Sequence, residues 1–157
     1  MSDAIRVSAD LTELRALVTQ LGREAARVDL TPAMHEAAKY MQQTVGARIR
    51  RYHVDANGSG LQPLSRAYRQ RKARKVGGLP ILTYTGRFIR SLTSGREQIL
   101  KVNAGGFEYG SSVPYAAWLM DGTKHMAARD VLSFSDNDLV KVEVILLEHV
   151  LKGLGAG

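Results

Sequence analysis

Chemistry in this chain would have to come from histidines, carboxylates or glycine-rich turns, because the chain has no cysteine. A thiolate nucleophile, a disulfide and a cysteine zinc site are therefore excluded. Two metal ligands on one helical face need a spacing of three or four residues, and no histidine has a second histidine at such a spacing. The histidines are His35, His53, His125 and His149. We interpret them as ordinary surface or half-buried side chains and predict no metal site.

Two pairs of carboxylates are close enough in sequence to suggest general acid–base chemistry, Asp121 with Asp130 and Asp136 with Asp138. Simpler roles account for them, since Asp121 precedes glycine in a turn dipeptide and the second pair opens a helix, where acids favour the helix dipole. The chain also lacks a Gly-x-Ser-x-Gly nucleophile turn, a phosphate-binding Gly-Lys-Ser/Thr loop and a dinucleotide fingerprint. We therefore predict no catalytic residue, no cofactor and no enzymatic activity.

The strongest charge feature is a basic segment at residues 66–75, in a chain whose net charge is +7. Such a charge favours an acidic partner. Clustered Arg and Lys bind phosphates without reading sequence, whereas Tyr68 alone is interleaved and adds little base stacking. A solvated arm, an acidic neighbouring subunit and DNA all stay open as explanations. The candidate contacts to DNA or to an acidic partner are Arg66, Arg69, Arg71, Lys72, Arg74 and Lys75.

The elements that must position these residues begin with a short strand at Ile5–Ser8, where apolar and polar residues alternate. A helix is predicted to start at Asp10, and a second one at Thr31, with Thr31 as its cap and Pro32 in its first turn. The second helix ends before the breaker at residues 57–60. Its apolar stripe is Met34, Ala38, Met41, Val45, Ile49 and Tyr52.

Residues 57–80 are predicted as a mobile loop insertion, because structureless segments of this length are unusual in a compact domain. A helix over the basic segment, capped by Ser65, stays open as an alternative. Further on, Asn103-Ala104-Gly105-Gly106 between two apolar runs predicts a β-hairpin. Pro114 opens a short helix, and residues 131–134 are predicted as a further short strand.

The closing helix is capped by Ser135 and is apolar around most of its circumference. At about 100° per residue, Lys141, Glu148 and Lys152 share one narrow polar strip. Because a surface helix usually has one apolar stripe, this helix is either central to its own domain or covered on a second side by a neighbouring subunit. The second alternative predicts an oligomer. Its candidate interface residues are Val140, Val144, Leu147 and Leu151.

Three blocks of residues follow one another between residues 60 and 129 of the chain. The first is Gly60-Leu61-Gln62-Pro63-Leu64-Ser65 with the basic residues that follow it. The second is Ile81-Leu82-Thr83-Tyr84-Thr85-Gly86 and its continuation to Ser91, and the third runs from Val113-Pro114-Tyr115-Ala116 through Asp121-Gly122-Thr123 and is followed by Arg129. Together they resemble the phage virion-morphogenesis, or tail-completion, family, although Leu61 stands where that family often has Trp. The motif residues are Leu64, Thr85, Gly86, Ser91, Tyr115, Ala116, Gly122, Thr123 and Arg129.

The resemblance implies an α+β fold, in which a small antiparallel β-sheet packs against two N-terminal helices and a C-terminal helix, with a long central basic loop. Residues 1–157 would form a single domain. The implied function is that of a structural subunit at the phage head–tail junction, a tail-completion, tail-terminator or neck component that joins the tail to the head. The alternative is a small basic nucleic-acid-binding protein.

The resemblance also implies the partners and the location. We expect further copies of the chain in a cyclic ring, a hexamer or a dodecamer, together with neighbouring neck, connector and tail-tube proteins. DNA passing through the channel is a further candidate partner, and no membrane contact is expected. The protein would be assembled in the host cytoplasm and would end in the virion.

Overall fold

The sheet of this α+β fold has three antiparallel strands in the order β1-β3-β2. A computed structural model describes residues 5–8, 16, 19 and 27–155. The strands are β1 (Ile5–Ser8), β2 (Gln98–Asn103) and β3 (Gly106–Ser111). The predicted hairpin is confirmed: Asn103 pairs with Gly106, and the Asn103 side chain accepts a hydrogen bond from the Gly105 amide at 2.7 Å. The predicted N-terminal strand is also confirmed, and it pairs with β3.

Two helices cover the inner face of this sheet, α1 (Thr31–Ala47) and α3 (Arg87–Thr93). The alternation of β3 sends Phe107 and Tyr109 into the core between sheet and helices. The Tyr109 hydroxyl donates to the Leu92 carbonyl at 2.6 Å, which satisfies the phenol inside the core. Burial raises the pKa of Tyr109, so this phenol stays protonated as a donor.

All the predicted stripe residues are buried except Tyr52, whose side chain is 57% exposed. The chain passes from α1 into a π-helical turn at Arg48–Tyr52, and the wider turn rotates Tyr52 away from the stripe. The predicted Thr31 cap is also wrong, because Thr31 already lies inside the helix and makes no capping bond. The Asp29 carboxylate instead accepts from the Thr31 amide at 2.9 Å.

The basic segment forms α2 (Arg66–Val76), the helical alternative for this part of the predicted loop. Ser65 caps it as expected, with its hydroxyl accepting from the Tyr68 amide at 3.3 Å. The short helix after Pro114 is α4 (Ala116–Asp121). The predicted helix starting at Asp10 lies largely outside the described residues.

The strand predicted at residues 131–134 is absent, and a turn takes its place. The Asp130 carboxylate accepts from the amides of Leu132 and Ser133 at 3.1 and 3.0 Å. Carbonyl oxygens of this turn point to the Arg48 guanidinium, at 3.1 Å for Val131 and 3.0 Å for Ser133. Side chains therefore take up the backbone groups that a neighbouring strand would otherwise pair with.

The closing helix, α5 (Asp136–Gly155), packs against α1 through a buried ion pair between Arg48 and Asp138. Asp138 also accepts from the Ser135 amide and hydroxyl at 2.8 and 2.7 Å, and Ser135 in turn caps the Asp138 amide at 3.2 Å. This reciprocal arrangement is a capping box with Asp in place of Glu. The Tyr40 hydroxyl adds a further bond to the Asp138 carboxylate at 3.2 Å.

Competing effects act on the pKa of Asp138. Burial raises the pKa, but the hydrogen bonds from Ser135 and the charge of Arg48 together lower it by more, so the pKa lies below its usual value. A buried ion pair is tolerated when its remaining donors and acceptors are hydrogen-bonded, and the bonds described above meet this condition for Arg48 and Asp138.

Replacing Arg48 by Met should cost about 3–5 kcal/mol of unfolding free energy, because the substitution strands the Asp138 charge in the core. Urea denaturation at neutral pH measures this loss. The matched control is Arg87→Met, which removes the exposed Arg87–Glu97 pair and should cost little. Equal losses in the two variants would contradict the structural role of the buried pair.

Because of the Arg48–Asp138 pair, we expect the free energy of unfolding to depend on pH. Because the folded pKa of Asp138 is lowered, its contribution is fully present above the unfolded value of about 3.9 and is lost as the pH falls through the lower folded pKa. The wild type should therefore lose more stability than Asp138→Asn in acid, as measured by urea denaturation over a pH series. Parallel curves for the two proteins would contradict the assignment.

Candidate functional site

A groove with a volume of about 740 Å³ opens between α2, residues 80–86, α4 and the turn that follows α4. Apolar side chains form much of its wall, and the described lining residues include no Asp or Glu. Its charged lining is wholly basic, with His125 beside it. The apolar wall comprises Leu64, Ile81, Leu82, Phe88, Leu119 and Met126. This combination of apolar body and positive charge suits an acidic, partly apolar ligand surface.

The three blocks that carry the family resemblance meet at this groove. Leu64 comes from the first block, Thr85 and Gly86 from the second, and Tyr115 and Arg129 from the third. Gly86 has a φ of +70° and directly precedes α3, so the chain turns sharply at the groove wall. Residues far apart in sequence thus build one surface.

The other motif residues support the groove from behind or beside it. Ser91 and Ala116 are buried in the core. The Ser91 hydroxyl bonds the Phe88 carbonyl and the Ser111 hydroxyl, both at 2.6 Å, and so ties α3 to the sheet. Gly122 and Thr123 form the turn that returns the chain from α4 to Arg129.

Arg129 is 4% exposed and joins the first block to the third. Its guanidinium donates to the carbonyls of Gln62 and Ala127, both at 3.1 Å, and more weakly to that of Pro63 at 3.5 Å. Burial lowers the pKa of Arg129, although an arginine stays charged. Among the described residues no carboxylate forms an ion pair with it, so the buried charge is balanced only by backbone dipoles.

Lys72 differs from its prediction as a surface contact, because it is only 4% exposed. Its ammonium group donates to the Pro80 carbonyl, which also accepts from the Thr83 hydroxyl at 2.6 Å. Burial lowers the pKa of Lys72. The lysine stem lies along the groove, and its bond to the Pro80 carbonyl links α2 to the segment that follows it. Because Lys72 is buried, it is not an exposed contact for DNA.

The remaining predicted basic contacts on α2 are exposed, namely Arg66, Arg69, Arg71, Arg74 and Lys75. Of these, Arg71 lines the groove and lies over the Tyr68 ring, with 5.3 Å between the guanidinium carbon and the ring centroid. The sequence contains no acidic residue between Asp55 and Glu97. The exposed side of α2, its outer face, therefore carries positive charge, and no acidic residue lies near it in the sequence.

A second surface lies on α5, where the predicted interface residues are exposed. Val140 is 57% exposed, Val144 and Leu147 are each 37%, and Leu151 is 55%. At about 100° per residue they fall within about 60° of one another. They lie opposite the face that packs on the core, which carries Asp138, Val142, Ile145, Leu146 and Val150. Large apolar side chains aligned in this way are typical of a contact surface.

Other chemistries find little support in the part of the chain that is described. It contains no group of three His, Asp or Glu residues that could hold a metal ion. None of its helices combines the length and the apolar character needed to cross a bilayer. Trp118 on α4 is 61% exposed, which the sequence pattern did not predict.

The comparison with protein families gives one match. A model of the phage virion morphogenesis family matches residues 9–151 of the 157 in the chain. The matched span contains the groove and the exposed stripe of α5. No curated protein and no solved structure matches the chain.

The turn at Gly122 should tolerate a side chain less well than a second glycine with similar backbone angles. A Cβ at Gly122, where φ is +76°, would lie 2.6 Å from the Ala128 nitrogen, whereas one at Gly77, where φ is +71°, meets nothing within 4 Å. Gly77→Ala should cost about 1–3 kcal/mol from backbone strain alone, because a positive φ with an extended ψ is essentially limited to glycine. Gly122→Ala should cost more than Gly77→Ala, because backbone must also move. Urea denaturation measures both, and equal costs would show that the turn is not tightly packed.

Proposed function

The chain belongs to the phage virion morphogenesis family, and from this we propose that it is a ring-forming subunit at the head–tail junction of a tailed phage. Family membership gives it a structural role in virion assembly, in contact with other virion proteins. The finer proposal is that several copies close into a ring, a hexamer or a dodecamer, which completes the tail or forms part of the neck. The ring would contact the tail tube on one side and the connector on the other.

The exposed stripe on α5 carries this proposal. A monomer gains nothing from Val140, Val144, Leu147 and Leu151 in water, whereas burial against a neighbour contributes about 25 cal/mol for each Å² of apolar surface removed. A ring needs a second, different surface on the same chain. The outer edges of β1 and β2 are unpaired within the described sheet and offer backbone groups for such a contact.

A second role, contact with DNA, is favoured by the outer face of α2. In a ring at the junction, DNA passes through the channel, and Arg and Lys side chains facing it would bind phosphates without sequence preference. The same face supports the alternative of a free nucleic-acid-binding protein. The two functions differ in assembly, since the ring subunit oligomerises without DNA.

A carboxylate placed on the α5 stripe should abolish assembly. Val144→Asp and Leu151→Asp would each bury a charge at the interface, at a cost of several kcal/mol, so each variant should stay monomeric where the wild type is oligomeric. Light scattering over a concentration series measures the mass. Lys141→Asp is the control, since Lys141 is exposed on the polar strip of the same helix. The proposal fails if the stripe variants and the control keep the same mass as the wild type.

The α2 face should dominate any binding to DNA. Replacing both Arg69 and Arg74 by Gln should lower the salt dependence of duplex binding by about one unit of slope for each arginine that contacts a phosphate. A mobility-shift titration at several salt concentrations measures this slope. The control is Lys124→Gln with Lys141→Gln, which removes equal charge elsewhere. Equal changes in both double variants would show that α2 is not a specific DNA surface.

A further inference from the structure

We propose that the groove receives helix α5 from a second copy of the chain, so that each subunit offers its groove to one neighbour and its α5 stripe to the other. This inference rests on the proposed ring and names the contact that closes it. It goes beyond the ring proposal because it assigns one surface to each side of the subunit and a role to the basic residues of the groove.

Among the described residues no carboxylate forms an ion pair with the basic side chains of the groove. Arg129 and Lys72 are each 4% exposed, and the contacts that hold them go to backbone carbonyls. Arg71 is exposed and adds a third positive charge to the lining. Burying a cation is costly unless an anion or a full set of acceptors compensates it. A carboxylate brought in by a neighbour would pair directly with Arg71 and would act on the two buried cations at longer range.

The outer surface of α5 supplies both the apolar body and the acids. Glu143 and Glu148 lie on either side of the exposed stripe, each within about 40° of its nearest member. Both glutamates are exposed. The ion pairs of the described residues are Arg48–Asp138, Arg87–Glu97 and Lys101–Glu108, so neither glutamate pairs with a basic residue in the described part of the chain. An apolar ridge between two acids matches an apolar groove with basic lining.

The dimensions and the topology agree with this pairing. From Val140 to Leu151 the stripe rises about 16 Å, which is three turns of helix and typical of a helix bound in a groove. No residue of α5 lines the groove of its own chain. With the groove turned to one neighbour and the stripe to the other, the contact is heterologous, and heterologous contacts close into rings when the rotation allows it.

Other occupants fit the observations less well. If α5 paired with α5 of a neighbour, the stripe would be covered but the groove would stay open and Arg71 unpaired. Edge pairing of β1 or β2 would likewise leave both the groove and the stripe open. DNA would match the charge of the groove, but its phosphates would find an apolar wall of Leu, Ile and Phe side chains there.

Charge reversal tests the pairing in the full-length protein. Arg71→Glu should raise the dissociation constant of the oligomer by about tenfold or more, because a charge-assisted contact becomes a repulsion. Adding Glu143→Arg or Glu148→Arg to the same chain should restore at least part of the assembly. The matched control is Arg74→Glu, on the same helix but outside the groove, which should leave the mass unchanged. Equal effects of the two arginine reversals would overturn the inference.

Because the chain has no cysteine, a disulfide can report the contact directly. Tyr84→Cys with Leu147→Cys should give a ladder of covalent oligomers under oxidising conditions, since Tyr84 lines the groove and Leu147 belongs to the stripe. The control combines Arg74→Cys with Leu147→Cys and should give no ladder. The single variant Leu147→Cys tests pairing of α5 with itself and should remain uncrosslinked.

The outcomes separate this inference from the ring on which it rests. An assembled protein that forms no Tyr84–Leu147 disulfide, or one in which Leu147→Cys alone crosslinks, would overturn the groove contact and leave the ring standing. A wild-type protein that stays monomeric would overturn the ring, and the groove contact with it. A ladder from the groove pair alone, with rescue by charge exchange, is the expected result.

Discussion

The buried ion pair between Arg48 and Asp138 determines which face of α5 points away from the domain. Arg48 lies at the end of α1, and Asp138 lies in the first turn of α5, where Ser135 caps it. A helix is rigid, so anchoring its first turn fixes the rotation of the rest. Val142 and Leu146 therefore pack in the core, and the apolar stripe opposite them is left exposed. Farther along, His149 donates to the Asp29 carbonyl at 2.8 Å and holds the same rotation.

Local patterns in the sequence predicted most of the fold, because they depend on neighbours along the chain. Examples are the Asn103–Gly106 turn, the caps at Ser65 and Ser135, and the apolar residues around most of the circumference of α5. The errors arose where a distant group decided the outcome. Residues 131–134 have the composition of a strand, but Arg48 and Asp130 take up their backbone groups. Tyr52 left its stripe because of a π-helical turn that apolar periodicity does not reveal.

The sequence predicted individual residues of the candidate site, but not that they form one surface. The family resemblance identified Leu64, Thr85, Tyr115 and Arg129 in separate blocks, and only the fold brings them to one groove. Charge counting placed Lys72 among the surface contacts, since composition does not say which way a lysine stem turns. Helical periodicity predicted the apolar wrap of α5 but left open whether its own domain or a neighbour covers the second side, and the fold leaves Val140, Val144, Leu147 and Leu151 exposed. In the proposed ring, the groove and the stripe would give each subunit the two different surfaces that a ring requires.

The mass of the wild-type protein in solution tests this account most directly. Native mass spectrometry over a range of concentrations should show a monomer converting to one closed oligomer with a defined number of copies and no larger species, because a ring has no free ends. A strict monomer at every concentration, or an open series of ever larger oligomers, would contradict the claim that the two surfaces of the chain close a ring.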